Sequence, residues 1–313
     1  VVNQLINKFC ALLFGRFFNQ SSENLKRAEA NSVLLARLHI QRLEQTSIVR
    51  SLKEIEFKVF SQWGEDGIIQ YVLSKIHVEN EVFIEFGVGN YRESNTRFLL
   101  VNNNWKGIVI EGNPRYVDQI QSDRLYWRYD LTAVCRFITR DNINQIITGA
   151  GISGDIGLLS IDIDGNDYWV WEAIDVVNPR IVVCEYNSIF GADHAVTIPY
   201  DPQFYIGDAH YSHLYYGCSL PALCRVAGSK GYSFIGCNSA GCNAFFVRKD
   251  LSQPFKLLSA KEGYVSSRFR ISRDISGRLN YVSGPDRTGV IAHLNIYDLE
   301  LGTTRPLKDL LEI

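Results

Sequence analysis

The chain has almost no excess of charge. Its 32 Lys and Arg stand against 34 Asp and Glu, a net charge of -2 over 313 residues. Without a global positive field, nucleic-acid binding through bulk electrostatics is disfavoured and no nucleic-acid partner is expected. The seven cysteines, at positions 10, 135, 184, 218, 224, 237 and 242, are odd in number and contain no Cys-x-x-Cys pair and no zinc-ligand spacing. They are expected as reduced thiols in a cytoplasmic protein. No apolar run reaches the roughly 20 residues needed to cross a bilayer, so no transmembrane segment is expected. Nor does a small-residue cleavage site follow an apolar core near the first residue, which argues against export. Internal repeats and low-complexity tracts are missing too. What remains, 46% apolar and 21% charged, fits one large globular domain, or one domain with appendages.

The texture changes twice along the chain. In residues 1–18 the apolar side chains recur at three- and four-residue steps, the period of an amphipathic helix. Such a face can pack on the same chain, on a second copy as a homodimer, or on a membrane surface as a peripheral anchor. Residues 23–55 are charged and helical in pattern, so 1–55 is expected as a helical N-terminal arm. From about residue 56, short β-branched and aromatic runs alternate with helical stretches and Gly/Asn/Asp turns. That alternation predicts an α/β fold, a Rossmann-like seven-stranded, mostly parallel sheet with flanking helices, over 56–250. The predicted strands are Val82–Phe86, Gly107–Ile110, Leu125–Tyr129, Ile156–Ile161 and Arg180–Cys184, followed by a hairpin of Tyr232–Ile235 and Ala244–Arg248. Residues 251–313 have weak periodicity and read as a C-terminal extension.

Open α/β sheets place ligands beyond the carboxyl ends of their strands, so the residues there carry the chemistry. The most informative run is Val82-Phe-Ile-Glu85-Phe-Gly87-Val-Gly89-Asn90, an apolar strand entering a glycine-containing turn. A second strand ends at Glu111, 26 residues after Glu85. A carboxylate at that point can accept hydrogen bonds from both ribose hydroxyls of a nucleoside. The dinucleotide fingerprint is incomplete, because its third glycine would fall at Arg92. A nucleoside without a pyrophosphate and with a positive charge suits the turn better. An NAD(P)-dependent oxidoreductase on a related fold remains the alternative, with a catalytically inactive binding module as a third class.

The strand-Glu-x-Gly-x-Gly turn with an acid after the next strand resembles a class I S-adenosylmethionine-dependent methyltransferase. More narrowly, Phe60-Ser-Gln-Trp-Gly-Glu-Asp-Gly67, the Gly107–Pro114 run and Leu159-Ser-Ile-Asp-Ile-Asp-Gly-Asn-Asp167 resemble the FkbM-like group, typically bacterial enzymes that methylate hydroxyls, often on sugars. The resemblance covers about 56–250. It implies S-adenosyl-L-methionine as cofactor, an O-methyltransferase acting on a saccharide or saccharide-like metabolite, and a place in polysaccharide biosynthesis. It also implies cofactor contacts at Glu85, Gly87, Gly89 and Glu111, at Asp130 toward the adenine, and at Asp162. Gln62 and Glu65 would lie over the cofactor, or else form a turn and helix cap.

Asp162 and Asp164 alternate along an extended segment after the fourth strand, and Glu185 and Asn187 follow the fifth. Packed carboxylates repel and a hard cation such as Mg²⁺ relieves them, so these four are candidate metal ligands, as in metal-dependent O-methyltransferases; turn and capping chemistry is the competing explanation. His210, His213 and His194, in that order, are candidate general bases in a loop rich in tyrosine, suited to a sugar ring. Trp63 is expected to pack, and Cys184 to be a small core residue.

Overall fold

The structure, a computed structural model, describes residues 23–310 except residues 25 and 46–48. The apolar pattern of 1–18, with the dimer and membrane contacts expected of it, lies outside the described residues. A seven-stranded sheet forms the centre, its strands lying side by side in the order Leu131–Cys135 (β3), Lys106–Glu111 (β2), Val82–Phe86 (β1), Gly154–Ile161 (β4), Val177–Glu185 (β5), Asn243–Arg248 (β8) and Tyr232–Cys237 (β7). Strands β1 (Val82–Phe86), β2 (Lys106–Glu111), β3 (Leu131–Cys135), β4 (Gly154–Ile161) and β5 (Val177–Glu185) run parallel. The pair β7 (Tyr232–Cys237) and β8 (Asn243–Arg248) is the expected hairpin, with β8 antiparallel to β5.

The parallel strands are continuous apolar runs because both sheet faces are covered. All five residues of β1 are buried. On one face Ile84, Ile110, Leu159 and Val182 pack beneath helices α5 (Ile143–Gly149), α6 (Asp167–Ala173) and α7 (Leu220–Ser229). On the other, Phe83, Val109, Leu158 and Val183 meet α1 (Glu65–Leu73), α2 (Arg97–Asn102) and α3 (Pro114–Ser122). A helix over residues 26–44 lies outside α2, with Ala36 buried and the Arg37 Nε donating to Asn102 Oδ1 at 2.8 Å. Among the described residues, no helix is long and apolar enough to cross a membrane.

One predicted strand is a helix. Leu125–Tyr129 looks strand-like because it is aromatic, but Arg124–Arg128 is the short helix α4. The Asp123 side chain accepts from the Leu125 N–H and caps its start, Leu125 is buried, and Trp127 stands 71% exposed. Alternating burial never develops, and the true third strand begins at Leu131. Past β5, strand β6 (Val196–Thr197) pairs with β9 (Asn295–Asp298), which pairs in turn with β10 (Thr303–Pro306). This antiparallel sheet ties residues 295–306 to the connection between β5 and α7.

Candidate active site

The carboxyl ends of β1, β2, β4 and β5 open into a cleft. At its floor, the turn after β1 is pressed against the loop after β4. Gly87 has φ +67°, and a Cβ there would lie 1.7 Å from the Asp162 carbonyl oxygen, so only glycine fits. Gly89, at φ +51°, faces open space, and its N–H donates to Glu111 Oε2 at 2.8 Å. The other Glu111 oxygen accepts from the Asn113 N–H at 2.8 Å. Each carboxylate oxygen has a second acceptor site, so Glu111 is oriented by the backbone and retains capacity for two further donors.

Glu85 has a different environment. It is 4% exposed, and its carboxylate accepts from Ser94 Oγ at 2.5 Å, Asn95 N at 2.8 Å, Thr96 N at 3.0 Å and Thr96 Oγ1 at 2.5 Å. Burial raises its pKa and these donors oppose the rise. Glu85 therefore clamps the 94–96 loop against the strand end, although part of it borders the cleft.

The cleft has two lobes. One, of about 580 Å³, is bordered by Glu111, Arg136, Phe137, Ile138, Phe204 and Tyr205. The other, of about 480 Å³, is bordered by Gln62, Trp63, Asn95, Glu185, Tyr216, Asn243 and Phe269. Gly87, Gly89, Tyr116, Asp162 and Asp164 belong to both. Trp63 is 42% exposed, its ring 4.7 Å from that of Phe269. It forms a rim of the cleft rather than the packed residue expected from the sequence.

At the junction of the lobes, one carboxylate oxygen from each of Asp162, Asp164 and Glu185 falls within 4.8 Å of the others. Asp164 adopts a left-handed backbone, φ +52°, to point there. Asp162 and Glu185 are half-buried and Asp164 is exposed to the cleft, with protein close around their carboxyl groups. Burial, then mutual repulsion among the acids, holds Asp162 and Glu185 well above the usual carboxylate range. Burial also raises Asp164, against the nearby His213. Glu185 Oε2 is buried without a hydrogen-bond partner. Three converging carboxylates, one with an orphaned oxygen, fit a hard divalent cation.

Several expected site residues do not join this arrangement. Asn187 Nδ2 donates to the Leu214 and Tyr216 carbonyls at 2.9 and 3.0 Å, and its Oδ1 accepts from the Ile189 N–H at 3.0 Å. Its amide is a turn clamp, and it does not border the cleft. Asp130 precedes β3 instead of following it and sits exposed at the amino edge of the sheet, the wrong end for an adenine; Arg136 and Phe137 occupy the carboxyl end. Glu65, fully buried, accepts from Trp63 N, Asn238 Nδ2 and Asn243 Nδ2 at 2.8, 2.7 and 2.9 Å and reaches neither lobe. Gln62 does border one. Among the histidines, His210 shares a hydrogen bond with Ser212 Oγ at 2.7 Å and packs on Tyr211 and His293. Burial and His293 lower its pKa. His194 borders a separate cavity beside Asp193 and Thr288. The long connection after β5 folds away and takes both with it; only His213 stays close enough for Asp164 to feel its charge.

Cys184 is buried with its thiol pushed up by burial, as a core residue should be, and all the described cysteines are free. The residue that sequence reasoning passed over is Asn243. It lies at the start of the hairpin's second strand, where only the antiparallel pairing Glu185↔Asn243 brings it to the cleft.

No family model and no curated protein matches this chain. Among solved structures, the chain is similar to the N-terminal domain of EvdMO1 with SAH bound, at 8% identity and TM-score 0.40, over 68% of this chain and 96% of that one. It is also similar to an S-adenosylmethionine-dependent methyltransferase from Clostridium acetobutylicum ATCC 824, at 9% identity and TM-score 0.38, over 59% and 90%. A third is the CurJ carbon methyltransferase, at 12% and TM-score 0.36, over 58% and 52%.

Proposed function

We propose that this chain is an S-adenosylmethionine-dependent O-methyltransferase of the FkbM-like group, acting on a hydroxyl of a saccharide or saccharide-like metabolite with a divalent cation at the acid cluster. The observation that carries this reading is Glu111, held by the Gly89 and Asn113 N–H groups with free acceptor capacity beside an open lobe. A carboxylate so placed suits the diol of a nucleoside.

When bound, the cofactor supplies an electrophilic methyl group on a sulfonium. Glu111 would hold the ribose, and Phe137 offers an apolar face, 51% exposed, to the base. Trp63 and Phe269 offer apolar surface to the C–H faces of a sugar ring, while Gln62 and Asn95 offer amides to its hydroxyls. Asp162, Asp164 and Glu185 would hold the cation, which lowers the pKa of a ligated hydroxyl.

Isothermal titration with S-adenosylhomocysteine tests this. Wild-type protein should bind one equivalent, and Glu111→Ala should weaken binding about 10- to 100-fold by removing a charged double acceptor. A folded protein that ignores the ligand, or a variant that binds it unchanged, would overturn the proposal. Saturable NADH binding followed by fluorescence would point to an oxidoreductase instead.

A further inference from the structure

The cluster of three acids leaves a question of coordination. Two residues that border the same lobe each carry a buried oxygen without a hydrogen-bond partner, Glu185 Oε2 and Asn243 Oδ1. Buried polar atoms are rarely left unpaired, at a cost of about 1–3 kcal/mol each. Asn243 is 5% exposed, and its Cα is the antiparallel partner of Glu185, which sets both side chains on one face of the sheet. Its amide cannot turn to hide the oxygen. Nδ2 donates to Glu65 Oε1 at 2.9 Å, and that oxygen also accepts from Asn238 Nδ2 at 2.7 Å, so reversing the amide would set oxygen against oxygen.

We infer that Asn243 Oδ1 is a ligand of the same divalent cation as Asp162, Asp164 and Glu185, and that Glu65 is the positioning residue that aims it. The inference rests on the cation of the proposed function and replaces Asn187 with an amide whose oxygen is free. All the donors are oxygen, which selects a hard ion such as Mg²⁺ or Mn²⁺ over zinc. The neutral amide adds a ligand to the set without adding another negative charge.

The test is titration of the full chain with Mn²⁺, followed by calorimetry and by the electron paramagnetic resonance signal of free Mn²⁺, in the absence of any cofactor. One Mn²⁺ should bind. Asn243→Ala should weaken it about 10- to 100-fold, and Glu65→Ala, which leaves the Asn243 amide without the acceptor that aims it, should weaken it in the same direction. Asn243→Leu, close in shape, serves if the alanine variant does not fold. Equal Mn²⁺ affinity in wild type and either apolar variant overturns the assignment, as does a folded wild type that takes up no Mn²⁺. S-adenosylhomocysteine titrated in parallel separates the two claims. Its binding without Mn²⁺ uptake removes the cation alone; Mn²⁺ uptake without its binding removes the methyltransferase and leaves the metal site.

Discussion

Replacing Glu85 with glutamine distinguishes a clamp from a cofactor ligand. In the structure Oε2 accepts from Ser94 Oγ, Thr96 N and Thr96 Oγ1, and Oε1 from Asn95 N. A glutamine keeps one acceptor and turns the other into a donor. In its better orientation it retains the three bonds at one oxygen and sets an NH₂ against the Asn95 N–H. The loss is one charge-assisted bond, about 1.5–3 kcal/mol, with a buried donor left unpaired at about 1–3 kcal/mol. Allowing for partial relaxation, Glu85→Gln should cost about 3 kcal/mol. With an unfolding entropy of about 2.1 cal/mol/K per residue, that lowers Tm by about 5 °C. Urea unfolding monitored by circular dichroism, in the absence of ligand, gives the number directly. A variant within about 0.5 kcal/mol of wild type would refute the clamp and return Glu85 to the cofactor.

Acid stability should be unusual. Asp162 and Glu185 are raised by burial and by their neighbours, and Asp66 and Asp167 are raised by burial to about 6. A carboxyl group with a raised native pKa binds more protons folded than unfolded, so stability falls as pH climbs through that window. The urea midpoint of cation-free protein should therefore drop from pH 5 to pH 8, and Mn²⁺ should reduce the drop. A cation-free midpoint that rises over this range would contradict the shifts. Gly67→Ala should invert the usual helix preference. Alanine normally improves a helical glycine site by about 0.5–1 kcal/mol, but here a Cβ would lie 2.2 Å from the Ile55 carbonyl oxygen and 2.4 Å from the Phe57 nitrogen. A loss of about 3 kcal/mol in thermal or urea unfolding is expected, and a gain would mean that α1 does not dock as described.

The strands legible in the sequence are those whose apolar runs are buried on both faces, β1, β2, β4, β5 and the hairpin. The third strand was hidden because Leu131-Thr-Ala-Val-Cys135 is half-buried and plain, whereas the aromatic Leu125–Tyr129 beside it looks stronger and forms a capped helix. That displacement carried Asp130 to the wrong edge. Residues placed by strand ends alone, Glu111, Asp162, Asp164 and Glu185, could be located by counting from the strands, and the structure brings the last three together. What a side chain does with its hydrogen bonds could not be read in this way. Glu85 and Asn187 hold loops, and His210 and His194 leave with a connection whose path depends on distant packing. Asn243 needed the antiparallel pairing, a tertiary fact without a local signature.

Because β8 runs against its neighbours, it enters the cleft with its first residue, directly after the turn 238–242. Side chains alternate along a strand, so lengthening or shortening that turn by one residue, with the pairing carried along, would swing Asn243 to the opposite face. The β1–β5 half would be untouched. A short, largely buried turn thus acts as a switch on the chemistry beside it, so a change in its length would alter activity while the fold stays the same.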